Sequence, residues 1–292
     1  MTALILFNPH AGNGTAGRET RNLSKMLLGD SLKYQDMTEI DDYAKLFAGL
    51  DPETRIILSG GDGTLNRFIN DTEGLNIPNE IYYYATGIGN DFLTDLGKTK
   101  GCEPFSLKEY LLGLPTVEVK GKRYRFLNGI GYGIDGYCCK VGDEQREKSD
   151  KPINYTAIAI KGLLFHYKPT NAVITVDGVR HEFKKVWLAP TMFGRHYGGG
   201  MMPTPDQDRS DPSRKLSVMV YYGVGKLKAL MVFPSIFQGK HVEHREMVSV
   251  LTGHDITVEF DRPTPLQVDG ETILDVKSYH AVGVPVRETA NV

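Results

Sequence analysis

The run Ile56-Ile57-Leu58-Ser59-Gly60-Gly61-Asp62-Gly63-Thr64-Leu65-Asn66 decides the fold of the first part of this chain. Its apolar start reads as a buried strand, and Phe68 and Ile69 beyond it belong to a helix, so the glycines occupy a strand-to-helix turn. Backbone N–H groups in such a turn approach a phosphate closely, and the helix N-terminus favours its negative charge. A ligand-free tight turn is the plainer meaning of Gly-Gly-Asp-Gly in isolation, so its surroundings decide between the two.

Upstream and downstream, strands are predicted over residues 3–7, 32–35, 55–58 and 81–85. They alternate with helices over 19–28, 41–47 and 106–113, the last introduced by Ser106. That rhythm predicts βαβ units and a parallel sheet covered by helices. Two more loops follow strands of this sheet: Phe7-Asn8-Pro9-His10-Ala11-Gly12-Asn13-Gly14-Thr15-Ala16-Gly17 and Ala85-Thr86-Gly87-Ile88-Gly89-Asn90-Asp91-Phe92. All three would lie at the carboxyl edge, where ligands bind in open α/β sheets. Gly12, Gly14 and Gly17 spell a formal G-x-G-x-x-G with Asp36 downstream, the pattern of a dinucleotide site. Against that, Asn8-Pro9-His10-Ala11 intervenes after the strand, and the Gly60 turn would be left unexplained.

Beyond Lys122 the texture changes, which predicts domains at 1–122 and 123–292, with the last segment able to return to the first. Strands are predicted over 172–176 before Asp177-Gly178, over 216–222 and 256–260, and over 266–268 before Asp269-Gly270. Helices are predicted over 153–166 and 226–237. The 292 residues carry 34 basic and 36 acidic side chains, net charge -2, which argues against a broad nucleic-acid-binding surface. Three cysteines without a CxxC pair indicate a reducing, cytoplasmic setting. The first apolar run is too short for a signal peptide, and the stretch 155–165 falls short of the roughly 20 residues needed to span a bilayer. Membrane contact is therefore expected to be peripheral. The segment 153–166, with Lys151, Lys161 and Lys168 around apolar residues, is a candidate for it, although packing against the sheet is the simpler expectation. A homodimer is the base-rate expectation for oligomeric state.

With Asn-Pro-x-x-Gly, Gly-Gly-Asp-Gly-Thr-x-Asn and Gly-x-Gly-Asn-Asp-Phe in this order, the sequence resembles the diacylglycerol kinase catalytic family, which includes sphingosine kinases and bacterial lipid kinases. The resemblance continues through Gly129-x-Gly131-x-Gly133-Ile134-Asp135, Gly198-Gly199-Gly200-Met201 and Gln267-Val268-Asp269-Gly270-Glu271. It implies a Rossmann-like α/β nucleotide domain of the NAD kinase and diacylglycerol kinase type, joined to a mainly β sandwich, with ATP and a lipid headgroup meeting between them. The implied reaction is phosphorylation of a membrane lipid, diacylglycerol by default, to phosphatidic acid in phospholipid biosynthesis. An NAD kinase-like enzyme and a nucleotide- or lipid-binding regulator are the alternatives.

The resemblance assigns the nucleotide to Asn8, Pro9, His10, Ala11, Gly12, Thr38, Gly60, Gly61, Gly63, Thr64, Leu65, Asn66, Gly89 and Asn90. Asp62 and Asp91 join a magnesium and water network, Asp91 on the substrate side with Asp135. Glu271 becomes the general base, with Asp62 as its competitor and Asp269 as an orienting group, because a lipid hydroxyl is a poor nucleophile until its proton is accepted. A structural magnesium in the β domain, bound in the family by one aspartate and two backbone carbonyls, maps onto Asp211, with Asp208 and Ser213 of the same stretch, though Pro212-Ser213-Arg214 departs from the usual spacing. Ile88 and Thr94 depart from the family pattern as well.

Overall fold

Residues Ala3, Leu4, Ile5 and Leu6 are buried in succession, as a strand covered on both faces requires. The computed structural model describes residues 2–9, 11, 16–86, 89–148 and 153–285. The chain divides into two compact units, Met1–Leu112 and Gly113–Val292.

In the first unit β1 (Thr2–Phe7), β2 (Ser31–Asp36), β3 (Arg55–Gly60) and β4 (Ile81–Ala85) run parallel. A short β5 (Phe105–Ser106) adds antiparallel to β4, giving the order β2-β1-β3-β4-β5. The connections hold α1 (Ala16–Thr20), α2 (Leu23–Met26), α3 (Tyr43–Ala48), α4 (Asp62–Asp71) and α5 (Asp91–Asp95), with α6 (Lys108–Leu111) after β5. Leu23 and Tyr84 pack with Ala3, Ile5 and Ile57, while Tyr43, Phe47 and Phe68 form a separate aromatic cluster. The single helix expected over 19–28 is instead two short ones, because Thr20, Asn22 and Ser24 are weak helix formers and the amides of Asn22, Ser24 and Lys25 bond three residues back. Ser106 is in a strand, and its hydroxyl accepts the amide of Lys108, so the helix expected from 106 begins later.

The second unit is built on a ten-stranded antiparallel sheet. Its strands are β6 (Thr116–Val119), β7 (Lys122–Arg125), β8 (Gly129–Tyr132), β9 (Thr170–Val176), β10 (Val179–Val186), β11 (Thr191–Met192), β12 (Leu216–Tyr221), β13 (Val248–Gly253), β14 (Asp255–Val268) and β15 (Glu271–Val282). Lys122 thus opens the second strand of a hairpin within this unit. The long β14 pairs with β15 and also, through different segments, with β9 and β8. Asp177-Gly178 and Asp269-Gly270 are two-residue hairpin turns with positive φ at both positions, as their sequence predicts.

Three helices accompany the sheet: α7 (Ile134–Arg146), α8 (Tyr155–Lys161), which runs into a wide turn over Gly162–His166, and α9 (Lys226–Val232), which tightens into a 3-10 turn at Pro234. Of helix α7 the sequence offers only a helix N-cap as the plain alternative role of Asp135, since Gly136 and Gly142 depress helical propensity; the cap is Gly133, and Asp135 lies within the first turn. Both glycines serve packing: a Cβ on Gly136 would lie 2.0 Å from the carbonyl oxygen of Pro265, and one on Gly142 would lie 2.7 Å from the Tyr155 ring. Gly136→Ala therefore separates two effects of opposite sign. Helix propensity alone would stabilise by about 1 kcal/mol, whereas overpacking against backbone costs about 1–3 kcal/mol. Net destabilisation is expected, read as a lower urea midpoint; a raised midpoint would mean that α7 does not sit on β14 this closely.

Candidate functional site

The carboxyl ends of the parallel strands are level, with Phe7 opposite both Asp36 and Ser59 and Gly60 opposite Ala85. The loops carrying Asn8, Thr38, Gly60 and Gly89 therefore leave one sheet edge. From β1 the chain passes through α1 and α2 to β2 on one side, while β3 pairs on the other, so the loops after β1 and β3 flank the topological switch point. In this architecture the crevice outside such a point receives the ligand.

The glycines of the turn after β3 answer to close approach, for φ is extended at Gly61 (-101°). A Cβ on Gly60 would lie 2.2 Å from the Thr64 hydroxyl, and one on Gly61 would lie 2.8 Å from the Gly89 carbonyl oxygen. The Asp62 carboxylate crosses to the neighbouring loop, where Oδ2 accepts the Asp91 amide at 2.6 Å and Oδ1 accepts the Phe92 amide at 3.3 Å. The Asp62 amide donates to the Gly89 carbonyl, and that of Thr86 to the Gly60 carbonyl. The buried Tyr83 hydroxyl lies 2.9 Å from the Gly60 carbonyl oxygen and 3.3 Å from Asn90 Oδ1. Thr64, Leu65, Asn66 and Asp91 are buried, whereas Gly63 and Gly89 are exposed at the edge. In the first loop the Ala11 amide bonds to the Asn8 carbonyl, and Asn8, Pro9 and Ala11 are half-buried; His10, Gly12 and Ile88 lie outside the described residues. The Thr38 amide and hydroxyl both donate to Asp36 Oδ1, at 2.8 and 2.7 Å. Asp36, the acid a dinucleotide ribose would need, is thereby engaged in capping its own turn.

In the second unit the Asp269 carboxylate accepts three backbone amides, from Leu127 at 2.5 Å and from Asn128 and Gly129 at 2.9 Å. The Gly270 amide donates to Gln267 Oε1 at 2.6 Å. This pinned turn presents Glu271, whose backbone pairs with Val268 in the ladder and whose side chain is exposed, its carboxylate making no hydrogen bond or ion pair with the described residues. Next to it, the Thr272 hydroxyl donates to Asp143 Oδ2 at 2.6 Å, fixing α7 to the same hairpin.

Asp135, in the first turn of α7, is enclosed in the unit, accepting the Tyr197 hydroxyl and the Gly136 amide, each at 2.9 Å. Burial pushes its carboxyl up to about 6, against the lowering effect of these two donors. The Gly129-x-Gly131-x-Gly133 run makes room for it: a Cβ on Gly131 would lie 2.0 Å from Asp135 Oδ2. Gly133 has φ 118° and backs onto the Trp187 carbonyl.

Residues 2–114 match the diacylglycerol kinase catalytic domain, and residues 128–284, more than half the chain, match the YegS C-terminal NAD kinase beta sandwich-like domain. The chain belongs to the diacylglycerol kinase family and is a lipid kinase. A Bacillus subtilis (strain 168) protein carrying the lipid-kinase name YtlR is 24% identical over 291 residues, covering 91% of this kinase and 92% of the relative. A Mycobacterium tuberculosis (strain CDC 1551 / Oshkosh) diacylglycerol kinase is 27% identical over 213 residues, covering 70% and 66%. A crystal structure of a diacylglycerol kinase from Bacillus anthracis str. Sterne has the same fold, with TM-score 0.60, 18% identity and 98% and 94% coverage.

The stretch that the resemblance assigns to a structural magnesium turns on its own hydrogen bonds. Asp208 Oδ1 accepts the Ser210 amide and Asp211 Oδ1 the Ser213 amide, both at 2.8 Å. Arg209 is buried here, donating to the Leu127 carbonyl at 3.1 Å and to Asn128 Oδ1 at 3.0 Å, and Arg214, with its own φ positive, donates to the Arg209 carbonyl. The charge of Arg214 reaches Asp211, whose carboxyl is held low first by the Ser213 amide. A divalent cation beside two buried guanidinium groups meets like-charge repulsion. Among the described residues no three His, Cys, Asp or Glu side chains converge on a metal position. Asp208 and Asp211 each have one carboxylate oxygen committed to their own turn, and no step of the chemistry is routed through this stretch.

Arg18 and Arg21, not singled out by the sequence, line a concavity with Phe7, Pro9 and Tyr34 at the end of β1. No short motif marks them; only the fold brings α1 beside Pro9.

The sign of the Asp135 shift is testable. Its folded value of about 6 stands above the ordinary 3.8, so the folded chain holds this proton more tightly than the unfolded chain. The group therefore costs stability progressively between about pH 4 and about pH 6, and a constant amount above, on the order of 3 kcal/mol. Asp135→Asn is expected to remove that slope from the urea midpoint and to match or exceed the parent's stability at pH 8. Persistence of the slope would assign it to another group.

Proposed function

We propose that this kinase transfers the γ-phosphoryl group of ATP, entering as its magnesium complex, to the hydroxyl of diacylglycerol, giving phosphatidic acid and ADP. The observation that carries the proposal is Glu271: an exposed carboxylate, free of partners among the described residues, on a turn immobilised through its neighbour Asp269. The acceptor hydroxyl gives its proton to Glu271 as its oxygen bonds to the γ-phosphorus, and the bond from that phosphorus to the β,γ-bridging oxygen breaks with the electron pair leaving on ADP.

The first unit supplies the nucleotide site. Asn8, Pro9, His10, Ala11, Gly12, Thr38 and the turn Gly60–Asn66 cradle the phosphates and sugar, with Gly89 and Asn90 completing the edge. Both oxygens of Asp62 already accept backbone amides, which favours Glu271 over Asp62 as the base and gives Asp62 the task of holding two phosphate loops together. Asp269 orients the base and Asp91 and Asp135 stand on the acceptor side. The acceptor is reached, on this proposal, from the cytoplasm by a peripherally attached protein. No helix among the described residues is long and apolar enough to cross a membrane.

Transfer of label from ATP to diacylglycerol in mixed micelles tests the reaction. Glu271→Gln is expected to lower kcat by about 10²–10⁴-fold with nucleotide affinity unchanged, whereas Asp62→Asn is expected to weaken nucleotide binding by loosening the turn. Transfer to NAD instead of lipid, or ATP binding without transfer to any lipid alcohol, would overturn the proposal. An unimpaired Glu271→Gln enzyme would remove Glu271 from the mechanism.

A further inference from the structure

The tip of the β14–β15 hairpin is braced by its own polar side chains. Gln267 Oε1 accepts the Gly270 amide, Asp269 gathers the three amides at the entry of β8, and the Thr272 hydroxyl reaches out of the hairpin to Asp143 Oδ2 at 2.6 Å. The first two braces act on residues before Glu271, and the bond from Thr272 holds the residue after it. Successive side chains of a strand point to opposite faces, so a hydroxyl drawn to α7 at position 272 sets the side chain at 271 on the other face. The direction of the Glu271 carboxylate therefore depends on what Thr272 meets.

Helix α7 is a firm support for that contact. Gly136 and Asp143 are seven residues apart, about two turns of helix, and so share one face. At Gly136 the helix lies against the backbone of Pro265 in β14, and at Asp143 it holds Thr272 in β15, so both strands of the hairpin are fixed to it. The second oxygen of Asp143 accepts Arg146 at 3.1 Å, Arg146 also donates to the Tyr155 hydroxyl at 2.8 Å, and the Tyr155 ring lies against Gly142. The carboxylate that receives Thr272 is thus oriented from its own helix. Cys139, one turn before Asp143, is half-buried. Its thiol is pushed up to about 12 by burial first, then by the charges of Asp135, Asp143 and Glu271, against a lowering by Arg146. The proposed base and two acids of α7 therefore stand around this one thiol.

We propose that Asp143, acting through the Thr272 hydroxyl, is a positioning residue that clamps the hairpin tip and fixes the direction of Glu271. The inference rests on Glu271 being the base that receives the acceptor proton, and the experiment separates the two. Thr272→Val keeps the shape and strand preference of the side chain and removes the hydroxyl. It is expected to lower kcat about tenfold, as misplacement of a reacting group does, with the KM for ATP unchanged. Thr272→Ser restores the hydroxyl and is expected to recover most of the parent's kcat. Asp143→Ala is expected to match Thr272→Val, and the double variant to be no slower than either, since both remove one interaction. Amide hydrogen exchange over residues 269–273, measured on the full chain without substrates, is expected to quicken in Thr272→Val and to stay at the parent's rate in Thr272→Ser. Equal protection of the tip in Thr272→Val and the parent would overturn the clamp whatever the reaction. So would a Thr272→Val kcat equal to the parent's while Glu271→Gln is slow, or losses that add in the double variant. A Glu271→Gln enzyme as fast as the parent, with a tip that loosens in Thr272→Val, would remove Glu271 from the chemistry and leave the clamp standing.

Discussion

In each unit of this kinase an aspartate carboxylate gathers backbone N–H groups from a segment far away in sequence, and the functional loops take their shape from that contact. Asp62 ties the end of β3 to the start of α5, and Asp269 ties the β14–β15 turn to the entry of β8. Hydrogen bonds from amides to a charged acceptor are stronger than those between neutral groups, so each carboxylate fixes the segment it gathers. Asp177 does the same for the amides of His254 and Asp255, away from any proposed chemistry. The recurrence shows a structural device on which the functional edges are built.

Two carboxylates on one short turn consequently differ in kind. Asp269 has its oxygens filled by three amides, while Glu271, two residues on, projects from the end of the ladder. The same division separates Asp62, committed to two amides, from the exposed Glu271. Rigidity supplied by one acid lets its neighbour be held in place without being consumed, which is what a positioned base requires.

The parallel sheet was legible in the sequence because its strands are continuous apolar runs and its loops are rich in glycine, and those local signals agree with the global fold. The hairpins at Asp177-Gly178 and Asp269-Gly270 were legible for a similar reason, since two positive φ angles leave few residue choices. Helix α7 was not, because its glycines answer to Pro265 and Tyr155, which are distant in sequence. Nor were the tasks of Asp62 and Asp269: a short motif marks a position but cannot say whether its oxygens are already occupied. The place of Arg209 between the Leu127 carbonyl and the Asn128 side chain likewise depends on contacts that no local pattern encodes.

Strand β14 carries a consequence for how the chain acquires its structure. Nearly every pairing in the first unit's sheet joins strands separated by one connection, so its contacts close within short loops. β14 instead unites β8, β9 and β15, so the partners made earliest wait for residues 255–268 before their ladder is complete. Pairing over such separations is slow, because loop closure precedes the contacts that reward it. During synthesis the first unit can fold as it emerges, while β8 and β9 each keep an open edge until residues 255–268 have been made, and that interval is when this protein most needs protection from aggregation.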